Sequence, residues 1–164
     1  MMNTIIRKAK PGEEAQIHEA HMRSIREICV IDHGEEEIRG WGYRPLGDRW
    51  VRAIQEEDVW VIDSNSSILG LGHIVFLRNE NEEYGYINAL YLTPEIIGQG
   101  FAKILLLEMI NFAKNRGVHT IELGSTITAY NFYKKMGFVD NGGERFVNIG
   151  GYPVRSYPMI LHLI

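Results

Sequence analysis

The chain of 164 residues is 45% apolar and 23% charged, which fits one soluble globular domain spanning 1–164 and leaves no room for a second. Its formal charge of −4 opposes the basic excess of a phosphate-tracking protein and argues against a nucleic-acid partner. The single cysteine, Cys29, excludes an internal disulfide and a multi-cysteine zinc or iron–sulfur site.

The opening stretch, residues 1–16, carries charges within a few residues of each hydrophobic pair, so no signal peptide is expected. No uncharged run is long enough to span a bilayer, and the expected location is the cytoplasm, without a membrane partner. Thr4–Ile6 is β-rich, Lys10-Pro11-Gly12 a turn, and a helix is expected from Glu13 towards Val30, with Ile17, His21, Ser24, Ile25 and Ile28 at helical spacing. Cys29, between Ile28 and Val30, reads as a core thiol rather than a nucleophile. Asp32-His33-Gly34 reads as a break and Glu35–Trp41 as a short helix whose leading glutamates favour its N-terminus. Gly40–Gly47 reads as an irregular aromatic rim, and Val51–Ile62 as strand-like.

Asp63–Ser67 is a turn before a strand over Ile68–Leu77, and Arg78–Glu83 another before a strand over Tyr84–Leu92. Phe101, Ile104, Leu105, Met109 and Phe112 define a helix that Gly117 stops. A strand over Val118–Leu123, a short helix over Thr128–Met136 capped by Gly137, and a strand starting at Phe138-Val139 follow. The Gly142-Gly143 turn and Val154–Leu163 predict a closing pair of strands. This order gives an α+β fold with a mixed, mostly antiparallel sheet flanked by helices.

The segment Leu90–Leu106 joins a strand to an amphipathic helix through Gly98-Gln99-Gly100. Two readings stand open: the glycines let backbone N–H groups approach an anion at the helix N-terminus, or they merely make a tight turn. A P-loop is excluded by spacing. A dinucleotide fingerprint lacks its third small residue, since position 103 is Lys, and its setting is wrong because some ninety residues of strand-rich sequence precede the motif. His33, His73 and His119 form no metal-ligand spacing, so no metal is expected.

Pro94-Glu95-Ile96-Ile97-Gly98-Gln99-Gly100-Phe101-Ala102, followed by Ala129-Tyr130-Asn131-Phe132-Tyr133-Lys134-Lys135-Met136-Gly137-Phe138, resembles the two signature segments of the GCN5-related N-acetyltransferase (GNAT) family. The order of elements matches along nearly the whole chain. The resemblance implies acetyl-CoA as donor, with Gly98, Gln99, Gly100, Phe101 and Ala102 holding its pyrophosphate through backbone amides. Leu90 and Leu92 would present backbone groups to the pantetheine arm, and Asn131 would contact the donor. Lys103 faces either the phosphates or solvent. The family often begins this loop with Arg or Gln, where this chain has Ile97.

The resemblance also places the family's general acid on Tyr133, to protonate the departing thiolate. It implies direct attack by a neutral primary amine in a ternary complex, the amine belonging to a small molecule or a protein. An alkyl amine has a pKa of about 10.4, so a base or a favourable pocket is required. Asn88 stands on the central strand where the family often has a glutamate; Glu122 is the candidate base, and Glu83 a weaker one. His21, Ser24, Trp41 and Tyr43 are candidate acceptor-binding residues, and the acidic run Glu80, Glu82 and Glu83 either attracts an amine or keeps a turn soluble. A second copy of the chain is a candidate partner. The alternative is an acyl-CoA-binding or regulatory domain without turnover; a nicotinamide-dependent oxidoreductase fits the fold order poorly.

Overall fold

The computed structural model describes residues 3–164; Met1 and Met2, which begin the stretch expected not to be a leader, lie outside the described residues. Eight strands form the sheet: β1 (Thr4–Lys8), β2 (Asp58–Ser64), β3 (Ser67–Arg78), β4 (Glu83–Leu92), β5 (Thr120–Ser125), β6 (Val139–Asp140), β7 (Arg145–Ile149) and β8 (Tyr152–His162). They lie in the order β1-β2-β3-β4-β5-β8-β6, with β7 also on β8, and among the described residues only β4 and β5 pair parallel. The mixed, mostly antiparallel sheet expected from the sequence is therefore present.

Strand β2 shows why a continuous apolar run is needed. Alternation sends Trp60 and Ile62 to one face, against Leu105 and Met109, and Val59 and Val61 to the other, against Ile17 and Trp50. The sheet thus separates helix α5 (Phe101–Arg116), with the short α6 (Tyr130–Lys135), from the N-terminal helices. No helix among the described residues is long and apolar enough to cross a membrane.

The first helix runs further than expected and is not uniform. It comprises α1 (Glu14–Ser24), a π-helical turn (Ile25–Cys29) and α2 (Val30–His33), after which Gly34, at a φ of 83°, admits α3 (Glu35–Trp41). The strand-like reading of Val51–Ile62 is corrected. Helix α4 (Arg49–Glu56) occupies its first half, and the strand begins only at Asp58. The β-branched Val51 and Ile54 misled, whereas the helix is held by Trp50 and Ala53, three apart and both buried. The closing hairpin also turns elsewhere than expected, at Gly150-Gly151 between β7 and β8 rather than at Gly142-Gly143.

That hairpin tip packs backbone to backbone on α3. A Cβ at Gly40 would meet the carbonyl of Ile149 and lie 2.7 Å from the Gly150 oxygen, and neither is a flexible group that can move aside. Gly40→Ala is therefore expected to cost about 1–3 kcal/mol, by overpacking. Denaturant unfolding of the two proteins checks this; an unchanged midpoint would show the hairpin free to shift.

Candidate active site

Strands β4 and β5 pair only from Gly85↔Ile121 to Ile87↔Leu123. Beyond that point β4 departs, because its register with β3 jumps from Ile74↔Ile87 to His73↔Ala89 and leaves Asn88 as an extra residue. Such a bulge bends the strand and sharpens its twist. The result is a wedge in the sheet in which Ala89–Leu92 have strand partners on the β3 side alone.

A cavity of about 380 Å³ opens from this wedge. Its walls include Leu90 and Leu92 from β4, Gly98, Gly100, Ala102 and Lys103 from the glycine turn and α5, Cys29 from the π-helical turn, and Tyr133 from α6. Gly98 and Gly100 have φ of 76° and 89°, and a Cβ on either would meet nothing within 4 Å. The turn therefore requires glycine for its backbone and leaves the space in front of it open. The first hydrogen bond of α5 runs from the Ile104 N–H to the Gly100 carbonyl at 3.2 Å, and no side chain caps the helix. The N–H groups of Phe101, Ala102 and Lys103 thus point out of the helix without an intrahelical acceptor, at the positive end of its dipole. This donor set suits the pyrophosphate of a CoA thioester, and the free edge of β4 suits an amide-bearing arm.

The 3-10 turn Pro94–Ile96 that leads into the glycines is tied to the first helix through Arg23, which donates to Glu95 at 2.5 Å. The guanidinium holds the Glu95 carboxyl down to about 2. The folded pKa lies below the ordinary value of about 4.3, so the contact stabilises the fold above that value and is lost as the pH falls towards 2. The melting temperatures of the parent and Glu95→Gln are expected to differ near pH 7 and to converge as the pH is lowered from about 4 to about 2. A gap that persists in acid would place the effect elsewhere than in this charge.

Tyr133 is buried, stacks edge-on with Phe138 at 5.4 Å, and no hydrogen bond among the described residues holds its hydroxyl. Burial pushes that hydroxyl well above the ordinary phenol value, so it stays protonated at neutral pH. Burial also pushes the Cys29 thiol up to about 12, which keeps it from acting as a nucleophile. A narrow neck of about 20 Å³, lined by Asn88, Tyr91, Gly124, Thr126 and Tyr133 among others, shares walls with the cavity and with a second recess of about 190 Å³. His21, Trp41, Arg44 and Arg49 lie on that recess, with Asn88 and Tyr91 again. Burial, then the nearby Arg49 and Arg44, holds the His21 imidazole well below its ordinary pKa, so it is uncharged at neutral pH.

The loop after β5 is fixed by His33. Its Nε2 accepts from the Ile127 N–H at 3.0 Å while Nδ1 bonds the Glu37 carboxylate at 2.8 Å. Glu37 also accepts from the Arg155 N–H and from its guanidinium, so α2, α3 and β8 meet at one half-buried carboxylate, with the loop tied to it through His33.

The expected site residues separate into groups. Leu90, Leu92, Gly98, Gly100, Ala102, Lys103 and Tyr133 come together on the first cavity. Gln99 and Phe101 do not line it: the Gln99 amide folds back on the Glu95 carbonyl at 3.1 Å and the Phe101 ring packs on the core. Asn131 is exposed on the outer side of α6 and lines none of the recesses. His21 and Trp41 lie on the second recess as expected for acceptor residues, but Ser24 lines the first cavity instead. Tyr43 is exposed, against Arg26, and lines neither.

Glu122 also departs from its expected place. Strand alternation buries Ile121, Leu123 and Ser125, and the Glu122 carboxylate, off the wedge, takes a long 3.4 Å bond from Asn141. Glu83 is paired with Arg116 at 2.9 Å. Neither acid lines the cavity, neck or second recess, and no other Asp or Glu does so among the described residues. Arg44, Arg49, Tyr91 and Thr126 were not singled out from the sequence; the two arginines flank the irregular Pro45–Gly47 loop, which carries no pattern pointing inward.

The fold and wedge define a transferase that works on a CoA thioester. Residues 29–162 match the acetyltransferase (GNAT) domain family. The chain belongs to the GNAT family of acetyltransferases, which use acetyl-CoA as donor. Among solved structures it is similar to a GCN5-related N-acetyltransferase from Rhodopseudomonas palustris, at 19% identity and TM-score 0.84 over 99% of this chain and 98% of that one. PaiA N-acetyltransferase from Thermoplasma acidophilum, solved with coenzyme A, matches at 21% identity and TM-score 0.75 over 98% and 99%. YncA, a putative acetyltransferase from Salmonella typhimurium solved with acetyl-CoA, matches at 20% and 0.72 over 99% and 95%. No curated protein sequence matches the chain.

Proposed function

We propose that the protein transfers the acetyl group of acetyl-CoA to a primary amine of a small molecule or protein by direct attack within a ternary complex. The carrying observation is the wedge itself: a cavity walled both by the uncapped start of α5 and by Tyr133, with a neck that shares walls with it and with a second recess. Two substrates can therefore occupy the protein together, one on each side of the neck. Bound acetyl-CoA supplies an acyl carbon activated by a thiolate leaving group. The amide N–H groups at the start of α5 hold the pyrophosphate, and the free edge of β4 at Leu90 and Leu92 aligns the arm. After the C–N bond forms, Tyr133 would donate its proton to the sulfur as the C–S bond breaks, and the proton released from the amine nitrogen passes to solvent water, from which the tyrosine is reprotonated. The thiol of Cys29 is held protonated, which favours direct attack over an acetylated enzyme.

The reaction belongs in the cytoplasm, where acetyl-CoA is supplied and the single cysteine stays reduced. The second reading, acyl-CoA binding without turnover, draws on Ile97 at the loop start and on the absence of a carboxylate from the wedge linings. Thiol release from acetyl-CoA, followed across an amine library, decides between them. Release in step with an acetylated amine, with no acetyl adduct on Cys29 by mass spectrometry, is expected. Tight CoA binding with no release for any amine would favour the binding module, and an acetylated Cys29 would overturn direct attack.

A further inference from the structure

The second recess is rich in donors and poor in acceptors. Arg44, Arg49, Arg145 and Arg155 line it, and no carboxylate does among the described residues. Arg155 is satisfied by Glu37. Arg44 is half-buried, and among the described residues its guanidinium makes one bond, from Nε to the Trp41 carbonyl at 2.9 Å. Arg49, half-buried as well, lies over the Trp50 ring at 4.5 Å without an ion pair among the described residues. By contrast Arg7, Arg23, Arg26 and Arg116 each meet a carboxylate. Burial weakens the hold of Arg44 and Arg49 on their protons, and the more distant Glu57 offsets this only in part at Arg49, as for cations taken from water with no carboxylate in contact.

Both arginines also line an adjoining recess of about 210 Å³, beside His18, His21 and Trp50. The Trp50 Nε1–H is buried and finds no acceptor. The one acid there, Asp48, is largely exposed and faces Arg52 at 3.4 Å. Unmatched buried cations are costly, and a ligand that is all acceptor removes the mismatch. A carboxylate or phosphonate is such a ligand, and a guanidinium binds either through paired N–H groups.

We propose that the acetyl acceptor is an amine bearing an anionic oxygen group, a carboxylate or a phosphonate, which Arg44 and Arg49 hold on the far side of the neck from Tyr133. The proposal deepens the acetyltransferase reading above and rests on it. Anion capture there presents the amine through the neck lined by Asn88, Tyr91 and Thr126. The same positive charge disfavours the ammonium form of that amine, a help in a wedge without a carboxylate base. It repels polyamines, so selectivity includes a repulsive element.

The test is acetyl-CoA turnover with a panel of amino acids, each against its own carboxamide, with 2-aminoethylphosphonate and spermidine alongside. The best acceptor is expected to be anionic, with kcat/KM about tenfold or more above its uncharged partner, as for a charge-assisted contact. Carboxylate and phosphonate arms show which anion is preferred. Arg44→Gln and Arg49→Gln are expected to erase that ratio with CoA affinity unchanged, and Arg49→Lys to restore part of it. A carboxamide or spermidine that matches or exceeds the anionic acceptors overturns the proposal. Calorimetry of the CoA complex with N-acetyl amino acids and their carboxamides separates the two claims. Preference for the carboxylate, lost in Arg49→Gln, upholds anion recognition even if no amine turns over, in which case only the transferase reading falls. Equal binding, or none, overturns it.

Discussion

Tyr133→Phe is expected to lower turnover by about 10²–10⁴-fold, the range of general acid catalysis, while leaving CoA affinity unchanged. The substitution removes one oxygen from a side chain whose ring already packs between Phe132 and Phe138, so the fold keeps its contacts. No hydrogen bond among the described residues is lost with it. The raised hydroxyl pKa means the acid form persists across neutral and mildly alkaline pH, so the loss is expected to be the same at every pH in that range. Steady-state kinetics with the best amine, beside calorimetry with CoA, measures both quantities. Unchanged turnover would take the acid role from Tyr133, and a parallel loss of CoA affinity would recast the residue as a wall of the cavity.

Gly100→Val is expected to have the second large effect, on donor binding rather than on chemistry. At a φ of 89° a β-branched residue is strained by about 1–3 kcal/mol, and its methyls enter the open space before the α5 amides. Loss of the anion's approach to those amides is expected to weaken CoA binding by tenfold or more, about 1.4 kcal/mol per factor of ten. The control is Gly117→Val. It sits at the other end of the same helix with a φ of 91°, so it carries similar backbone strain far from the glycine turn. Equal damage to CoA affinity from both would mean that strain alone, not a cradle, explains the result.

The donor half of the site was legible because its chemistry is made by backbone and by near neighbours in sequence. Gly98, Gly100 and the helix that follows belong to one continuous segment, and Tyr133 lies in a second. The acceptor half draws on residues far apart in the chain. Arg44 and Arg49 surround a loop without periodicity, and they meet Arg145 and Arg155 only after the β7–β8 hairpin folds over α3. Glu122 was a reasonable base by order along the chain, but the two-residue period of β5 sent its carboxylate away from the wedge. Likewise α4 was hidden because Val51 and Ile54 have strand-like side chains, whereas its helical evidence is the tertiary burial of Trp50. His33 has no metal-ligand spacing, and its role as the bond between α2 and the Ile127 loop depends on a backbone N–H that no motif announces.

The π-helical turn at Ile25–Cys29 holds one residue more than an α-helix of the same rise needs. The apolar pattern of the chain therefore slips by one position, about 100° of helix rotation, between α1 and α2. The first helix serves His21 to one recess and Cys29 to the other. One helix thus forms a wall of both recesses, and whatever moves it is felt in the two at once.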